Sequence, residues 1–287
     1  MDATRKTIEV GSLAIGPGQP LTLIAGPCVA ETLDICLEIG ERVRDACRSA
    51  GFGYIFKASF DKANRSSIQS PRGPGLEAGL NLMSEVGQRL GVPVVSDIHE
   101  SWQAEQAGQV LDMLQIPAFL CRQTDLLVAA AQTGKTVNVK KGQFLSPVEM
   151  RSVVGKLESA GAAGVMVTDR GTFFGYQRLV NDFPGLVDLS SLGYPVCLDV
   201  THSTQLPGAD SGLGGAMVSG GRPEMVPLLA RLGVTAGVDA LFIETHPDPK
   251  KAVSDGASMV RLDVLIPEIE RLMEIRSLTD SWASVSE

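Results

Sequence analysis

The sequence predicts a single α/β domain built as a closed barrel of parallel strands, and three observations support this fold class. Short apolar runs alternate with amphipathic stretches from about residue 21 onward, and eight of these runs have the length and composition of strands. The chain has 287 residues, and a (β/α)8 barrel needs roughly 250. No low-complexity linker divides the chain, so we expect one domain over residues 1–287.

The predicted strands are short β-branched or apolar runs, many of them followed by glycine, proline or polar residues. They span residues 21–25, 54–57, 93–97, 113–116, 136–140, 164–168, 195–200 and 240–243. Because strands alternate with helical patterns along the whole chain, a (β/α)8 or TIM barrel is favoured over an open doubly wound sheet.

The predicted helices carry apolar residues at helical spacing between these strands. They span residues 33–49, 75–90, 101–109, 124–132, 147–160, 223–232 and 262–273. Between Arg170 and Gly193 no long helical pattern is present, so we expect an abbreviated helix there. Ahead of the first strand, residues 6–20 alternate on each side of Gly11, which predicts a short hairpin within an N-terminal extension of residues 1–20. We expect this hairpin to close the bottom of the barrel.

Composition restricts the location and the partners of the chain. A net charge of −8 disfavours nonspecific nucleic-acid binding, which needs a basic surface. The five cysteines are odd in number and have no paired spacing, which indicates a reducing compartment. No apolar run approaches the roughly 20 residues of a membrane span, and residues 1–10 carry charges where a signal peptide needs an apolar core. We therefore expect a cytoplasmic protein with no membrane or nucleic-acid partner.

Reactive side chains follow the predicted strands at the same end of the barrel. Active sites of (β/α)8 barrels are built at the C-terminal ends of their strands. Any one of these residues alone is more often structural, but a polar group at the end of every strand points to a functional site. They are Cys28, Lys57, Asp97, His99, Gln115, Lys140, Arg170, Asp199, His202, Glu244 and His246.

Basic residues at strand ends and in loops form a predicted anion-binding set. Converging in a barrel mouth, they would bind phosphate or carboxylate through charge-assisted hydrogen bonds. So many cations suit two phosphorylated substrates, and the run KASFDKANRSS at residues 57–67 is the densest part. The set comprises Lys57, Lys62, Arg65, Arg72, Lys140, Lys141 and Arg170.

A second group of side chains has the chemistry of a metal site. Mixed sulfur, nitrogen and oxygen ligands favour Fe, Zn, Co or Mn over Mg or Ca. No CxxC or HExxH pattern is present, so the residues alone leave the presence of a metal open. The group comprises Cys28, His202, Glu244 and Asp255.

These motifs resemble those of the 3-deoxy-D-manno-octulosonate 8-phosphate (KDO8P) synthase family, over about residues 21–270. The matching runs are AGPC at 25–28, KASFDKANRSS at 57–67, QIPAFL at 115–120, RQTD at 122–125, NVKK at 138–141, DRG at 169–171, DVTH at 199–202, SGGR at 219–222 and FIETHPDP at 242–249. The KANRSS run is the specific part, since the related DAHP synthases carry a Lys-Pro-Arg-Thr motif at that loop.

The resemblance implies condensation of phosphoenolpyruvate with D-arabinose 5-phosphate, giving KDO8P and phosphate for lipopolysaccharide synthesis. It places phosphoenolpyruvate on Lys57, Ser59, Gln115, Lys140 and Arg170. It places the sugar phosphate on Lys62, Asn64, Arg65 and Ser66. In the family's homotetramers, Arg122 is expected to reach the sugar-phosphate site of a neighbouring subunit.

The resemblance also implies a divalent transition metal, because the metal-dependent branch of the family has Cys at the position of Cys28. His202, Glu244 and Asp255 match the remaining ligand positions. Catalytic roles are expected for His202, Lys140 and Asp255, with Asp97 and His99 positioning water. The glycine-rich residues 206–221 are expected to form a lid over the site.

Two rival functions remain open at this point. One is a DAHP synthase-like condensation with erythrose 4-phosphate, which the KANRSS run disfavours. The other is a non-catalytic barrel that only binds a phosphosugar. Such a barrel would be expected to lack at least one anion-binding or metal-binding residue, and none is missing from the sequence.

Overall fold

Eight parallel strands close into a barrel in the computed structural model, which describes residues 5–65, 67–206 and 220–283. Consecutive strands pair in parallel, and the eighth strand pairs with both the seventh and the first, which completes the ring. The prediction of a (β/α)8 barrel is therefore confirmed. The barrel strands are β3 (Thr22–Gly26), β4 (Gly53–Lys57), β5 (Val94–Asp97), β6 (Met113–Ile116), β7 (Thr136–Lys140), β8 (Gly164–Asp169), β11 (Val196–Asp199) and β14 (Ala240–His246).

Eight α-helices surround the barrel within the described ranges. The first buries an apolar stripe and is capped by Thr32, whose side chain accepts a hydrogen bond from the Ile35 amide. The helices are α1 (Leu33–Ala50), α2 (Leu76–Leu90), α3 (Gln103–Val110), α4 (Thr124–Gln132), α5 (Met150–Ser159), α6 (Phe183–Ser190), α7 (Val226–Thr235) and α8 (Leu262–Ala283). Within the described ranges, none of them combines the length and the apolar character that crossing a membrane would require.

The connection after β8 contains the abbreviated helix that the sequence predicts. It begins with a small hairpin of β9 (Thr172–Phe173) and β10 (Leu179–Val180). Helix α6 then spans eight residues, starting after Asp182, whose side chain accepts a hydrogen bond from the Gly185 amide.

The N-terminal hairpin closes the bottom of the barrel, as predicted. Strands β1 (Ile8–Val10) and β2 (Leu13–Ile15) pair antiparallel around Gly11, whose φ of 55° lies in the left-handed region that favours glycine. The Thr136 hydroxyl, at the start of β7, donates to the Glu9 carbonyl. Buried side chains of the hairpin pack against side chains inside the barrel: Ile8, Val10 and Ile15 meet Ile24, Ile55, Val95, Met113, Met166, Cys197, Ala240 and Phe242.

Alternation along the strands separates this interior from the layer under the helices. In β3, Ile24 belongs to the interior cluster, whereas Leu23 and Ala25 belong to the larger cluster beneath the helices. Strands covered on both faces are apolar throughout, which explains why they appear in the sequence as continuous apolar runs.

Strand β14 is longer than the sequence predicts. It continues to His246 because β15 (Val260–Arg261) pairs in parallel with Thr245 and His246. Glu244 is therefore part of a strand, which corrects the expectation that it lies in a loop after the strand. Helix α8 continues to Ala283, ten residues beyond its predicted end at residue 273. The other bounds differ from the predictions by a few residues, and α5 and α7 are preceded by short 3-10 turns at Pro147–Glu149 and Pro223–Met225.

The predicted lid over residues 206–221 lies mostly outside the described residues, since residues 207–219 are not among them. Its two ends are described. Strand β12 (Gln205–Leu206) pairs antiparallel with β13 (Gly220–Gly221), which brings the start and the end of the segment together.

Replacing Gly26 with alanine is expected to destabilise the barrel. A Cβ at this position would lie 2.0 Å from the backbone carbonyl oxygen of Lys57, so strands β3 and β4 would have to separate. We expect a loss of about 3 kcal/mol in the free energy of unfolding, measured by urea denaturation followed by circular dichroism. Gly155→Ala, in helix α5, is the matched control, because a Cβ at this position would have no neighbouring atom within 4 Å. Equal stability of the two variants would contradict the expected clash.

Candidate active site

Polar side chains from the strand ends meet, as predicted, at the C-terminal end of the barrel. Most are almost completely buried, although they are charged or polar. Buried charges of this kind are stable only when they are paired and hydrogen-bonded, so their partners define the site. The buried members are Lys57, Ser59, Lys62, Asp97, Gln115, Lys140, Arg170, Asp199 and Glu244.

The four predicted metal ligands lie close together, and we call them the donor cluster: Cys28, His202, Glu244 and Asp255. One ligand atom from each of Cys28, Glu244 and Asp255 lies within 4.8 Å of the other two. The Cys28 Sγ is 2.9 Å from Asp255 Oδ2, and His202 Nε2 is 3.6 Å from Glu244 Oε2. The structure thus brings together four residues that are distant in the sequence.

The Glu244 carboxylate carries one oxygen with an unusual environment. Its Oε2 is buried and has no hydrogen-bond partner among the described residues. Burial raises the pKa of this carboxyl, but the charges of Lys57 and His202 outweigh that effect and hold its pKa well below the usual range. A buried, ionised carboxylate with a free oxygen next to a thiol and an imidazole fits a transition-metal ion.

Burial and the charge of Glu244 raise the pKa of the Cys28 thiol, in that order of size. The thiol donates to Asp255 Oδ2 and lies 3.2 Å from the Ser254 Oγ. Asp255 has a φ of 50°, and the Ser254 hydroxyl donates to its Oδ2 at 3.0 Å. The backbone of this loop therefore adopts a strained conformation that turns Asp255 toward Cys28.

Lys57 connects the donor cluster to the predicted anion-binding set. Its Nζ donates to Glu244 Oε1 at 2.6 Å and to the Cys28 carbonyl at 3.2 Å. Lys62 lies alongside, with its Nζ 3.9 Å from Glu244 Oε1 and donating to the Ser59 hydroxyl at 2.9 Å. Two predicted substrate-binding cations thus lie against one metal-binding carboxylate.

Asp199 forms a second centre of charge. Its Oδ2 accepts from Lys140 Nζ at 2.5 Å and lies 2.8 Å from His202 Nδ1. Burial raises the pKa of Asp199, but His202 and Lys140 outweigh it, so the carboxylate stays ionised far below its usual pKa. Burial lowers the pKa of Lys140 despite this partner. The Phe242 ring lies beneath, its centroid 3.5 Å from the Lys140 Nζ.

The predicted water-positioning pair is in direct contact. His99 Nε2 lies 2.9 Å from Asp97 Oδ2, and the Ser59 hydroxyl donates to Asp97 Oδ1. Burial raises the pKa of Asp97, but the hydrogen bond and charge of His99 lower it by more, so its pKa falls well below the usual range. The pair is linked through Ser59 to Lys62 and hence to the donor cluster.

Gln115 and Arg170 line the other side of the site. Asn138 donates to Gln115 Oε1 at 3.3 Å and accepts from the Thr168 hydroxyl at 2.6 Å. Arg170 is buried and donates to Gln205 Oε1 at 2.6 Å. Both predicted substrate-binding residues therefore have protein partners that hold them in place.

Three described residues of the predicted sugar-phosphate site, Asn64, Arg65 and Arg122, lie outside the buried cluster. Asn64 and Arg122 are exposed, and Arg65 is half-buried, with its Nε donating to the Pro71 carbonyl at 3.0 Å. Ser66 lies outside the described residues. Arg72, a member of the anion-binding set, is exposed and paired with Asp61.

Three residues in the site have no binding, metal or catalytic role predicted from the sequence, although Asp199 is one of the polar residues at the predicted strand ends. Asp199 bridges Lys140 and His202, Ser254 contacts Cys28, and Asn138 holds Gln115. One signal was available for Asn138, since alternation along β7 puts it on the same face as Lys140. For Ser254, no pattern in the sequence indicates the contact.

The comparisons with known proteins agree with the motifs. Residues 3–280 match the DAHP synthetase I family. A 2-dehydro-3-deoxyphosphooctonate aldolase from Cyanothece sp. is 54% identical over 265 residues, covering 92% of this chain and 95% of the relative. The protein of that name from Geobacter sp. strain M21 is 50% identical over 275 residues, covering 96% of this chain and 99% of the relative. The one from Fusobacterium nucleatum is 48% identical over 268 residues, or 93% of each chain.

Changing Asp199 to asparagine is expected to destabilise the fold, because the buried Lys140 ammonium would lose its counter-charge. We expect the free energy of unfolding to fall by about 3 kcal/mol, measured by urea denaturation. The double variant Lys140→Met/Asp199→Asn removes both charges and should recover part of this loss. Asp188→Asn, on the exposed face of α6, is the control and should change little. A single variant as stable as the control would show that the pairing is unimportant.

Proposed function

The chain belongs to the DAHP synthetase I family, and on that premise we propose that it condenses phosphoenolpyruvate with D-arabinose 5-phosphate and water to give KDO8P and phosphate. The relatives' name, 2-dehydro-3-deoxyphosphooctonate aldolase, denotes the same KDO8P synthase activity. The observation that carries the proposal is the convergence of buried Lys57, Lys140 and Arg170 with the donor cluster in one barrel mouth. The chain is accordingly an enzyme of the transferase class.

Phosphoenolpyruvate is assigned to the buried cations, with Ser59 and Gln115 as polar partners. An ammonium has three donor hydrogens. Lys57 uses two of them within the protein and Lys140 uses one, so each has capacity for a substrate oxygen. With Arg170, these groups offer charge-assisted hydrogen bonds to both the phosphate and the carboxylate of the substrate.

The sugar phosphate is assigned to Lys62, Asn64, Arg65 and Ser66. Lys62 is buried beside the donor cluster, whereas Asn64 and Arg65 lie farther out. An exposed phosphate site suits a homotetramer in which Arg122 of one subunit reaches the site of the next. A cytoplasmic location and a place in lipopolysaccharide synthesis complete this part of the proposal.

A divalent transition metal, Fe, Zn, Mn or Co, is assigned to the donor cluster. Cys28 offers sulfur, His202 nitrogen, and Glu244 and Asp255 oxygen, including Glu244 Oε2, which accepts no hydrogen bond from the described residues. When bound, such an ion supplies Lewis acidity and orients oxygen ligands. Asp199 accepts from the other imidazole nitrogen, which fixes the tautomer that presents His202 Nε2 to the cluster.

In the proposed reaction, C3 of phosphoenolpyruvate bonds to the aldehyde carbon of the sugar, and the aldehyde oxygen takes a proton. The oxygen of water adds at C2, and the proton that this water releases balances the one taken by the aldehyde oxygen. Phosphate then leaves from the resulting tetrahedral carbon by C–O cleavage, and the remaining hydroxyl at C2 loses its proton and becomes the carbonyl. The protein aligns two anions that repel each other, which is a matter of positioning and electrostatic stabilisation. We assign to His202 a proton held on Nδ1 toward Asp199, and to Asp97 with His99 the orientation of the water.

The proposal is tested by assaying phosphate release from phosphoenolpyruvate with each of two sugars. We expect turnover with arabinose 5-phosphate and little with erythrose 4-phosphate, since the 62–67 loop carries the KANRSS run. Activity should disappear after treatment with a chelator and return on addition of a divalent transition metal. The metal content of the protein is measured alongside.

The outcomes of this assay separate the parts of the proposal. Activity that persists in a chelated, metal-free sample would keep the reaction and remove the metal from it. Preference for erythrose 4-phosphate would instead favour the DAHP synthase-like alternative. Absence of turnover with either sugar, in a protein that still binds phosphoenolpyruvate, would favour the non-catalytic barrel.

Lys140→Ala is expected to raise the Michaelis constant for phosphoenolpyruvate about tenfold or more, because one charge-assisted hydrogen bond contributes about 1.5–3 kcal/mol. Steady-state kinetics with each substrate varied in turn measures this change. Lys135→Ala, at the residue just before the start of β7, is the control. Unchanged Michaelis constants for both substrates would refute the assignment of Lys140.

A further inference from the structure

Lys141 belongs to the basic set that sequence analysis assigned to anion binding, but its ammonium is surrounded by protein oxygens. The side chain is 1% exposed. Its Nζ lies 3.1 Å from the Leu145 carbonyl, 3.2 Å from Asp169 Oδ2, 3.3 Å from the Thr172 hydroxyl and 3.4 Å from the Gly142 carbonyl. Three donor hydrogens facing four acceptors leave no capacity for a substrate.

The four acceptors lie on two loops. Gly142 and Leu145 belong to the loop after β7, and Asp169 and Thr172 lie at the end of β8 and just beyond it. The backbone joins the same two segments, since the Phe173 amide donates to the Gln143 carbonyl at 3.1 Å. Lys141 is therefore a buried cation that fastens two neighbouring strand ends together.

Arg170 lies between the two contacts on the β8 side. Lys141 meets Asp169, the residue before it, and Thr172, two residues after it. Asp169 also accepts from the Gly171 amide through its other oxygen, at 2.8 Å. The backbone on both sides of Arg170 is thus held by groups that depend on the Lys141 charge, directly or through Asp169.

The backbone of Lys141 joins the same two strand ends as its ammonium does. Lys140 immediately precedes Lys141 and presents its Nζ to Asp199, inside the site. The Lys141 amide donates to the Thr168 carbonyl at 2.7 Å. Lys140 and Arg170 therefore extend from two strand ends that Lys141 connects both through its backbone and through its ammonium.

We propose that Lys141 is a positioning residue for phosphoenolpyruvate, which holds Lys140 and Arg170 at the separation that the substrate's two anionic groups require. The inference rests on the proposed function, in which those two residues bind phosphoenolpyruvate. Lys141 itself does not touch the substrate. A purely structural role would instead make its loss affect stability alone.

The test compares Lys141→Met with the double variant Lys141→Met/Asp169→Asn. The single variant leaves the buried Asp169 without its cation and is expected to lose stability, whereas the double variant is neutral at this place and should regain most of the melting temperature. Dissociation constants for phosphoenolpyruvate are measured by calorimetry on the protein without sugar. We expect binding about tenfold weaker in both variants, with the Michaelis constant for the sugar phosphate within twofold of wild type.

A double variant that regains its melting temperature and binds phosphoenolpyruvate as tightly as wild type would overturn the inference. Equal weakening of the interaction with phosphoenolpyruvate and with the sugar phosphate would also overturn it, because this would indicate a general loosening of the barrel mouth. Lys135→Met, a lysine outside this linkage, is the control for loss of one positive charge. If neither Lys141 variant folds, Thr172→Val removes one acceptor and should show the same selective weakening on a smaller scale.

Because phosphoenolpyruvate binding is measured directly and without turnover, the test of Lys141 does not depend on the test of the proposed reaction. A wild-type protein that binds phosphoenolpyruvate without turning over arabinose 5-phosphate would refute the proposed reaction, while the variants would still decide the role of Lys141. Wild-type turnover with unchanged binding in the variants would refute only the positioning role.

Discussion

The pairing of buried ammonium groups with buried carboxylates is the interaction on which the barrel mouth depends. Lys57 pairs with Glu244, and Lys140 pairs with Asp199, and all four side chains are almost inaccessible to solvent. A single charge in such surroundings would be neutralised or would destabilise the fold. The paired arrangement allows several cations to stand close together before any anion arrives, so the site is organised in advance of its substrates.

The pairing also links the two parts of the site chemically. Glu244 contacts Lys57 and belongs to the donor cluster, while Asp199 contacts both Lys140 and His202. A change in charge at the donor cluster is therefore felt by the cations assigned to phosphoenolpyruvate. The Phe242 ring below Lys140 completes the floor of this region and belongs to the apolar interior that the N-terminal hairpin covers.

Much of this architecture can be predicted from the sequence, because strands covered on both faces are continuous apolar runs and their polar successors mark one end of the barrel. The gathering of Cys28, His202, Glu244 and Asp255 follows from that rule together with the family resemblance. Which charged side chains pair with each other cannot be predicted from that rule or from the resemblance. Lys140 and Lys141 are adjacent and chemically identical, yet Lys140 faces the site and Lys141 is enclosed by loops. Only the three-dimensional contacts distinguish the two side chains. The extension of β14 likewise depends on β15, a pairing with no local pattern.

The N-terminal hairpin has a consequence for the order in which the protein can fold as it is synthesised. The hairpin and β3 are made first, but β3 pairs with β14, and Arg5 pairs with Asp239, near the other end of the chain. At about 5–20 residues per second, roughly 10 to 45 seconds separate the synthesis of these partners. During this interval the apolar faces of Ile8, Val10 and Ile15 lack the closed barrel that buries them. The growing chain therefore carries this apolar surface unburied until the last barrel strand has been synthesised, and aggregation competes with folding during that interval.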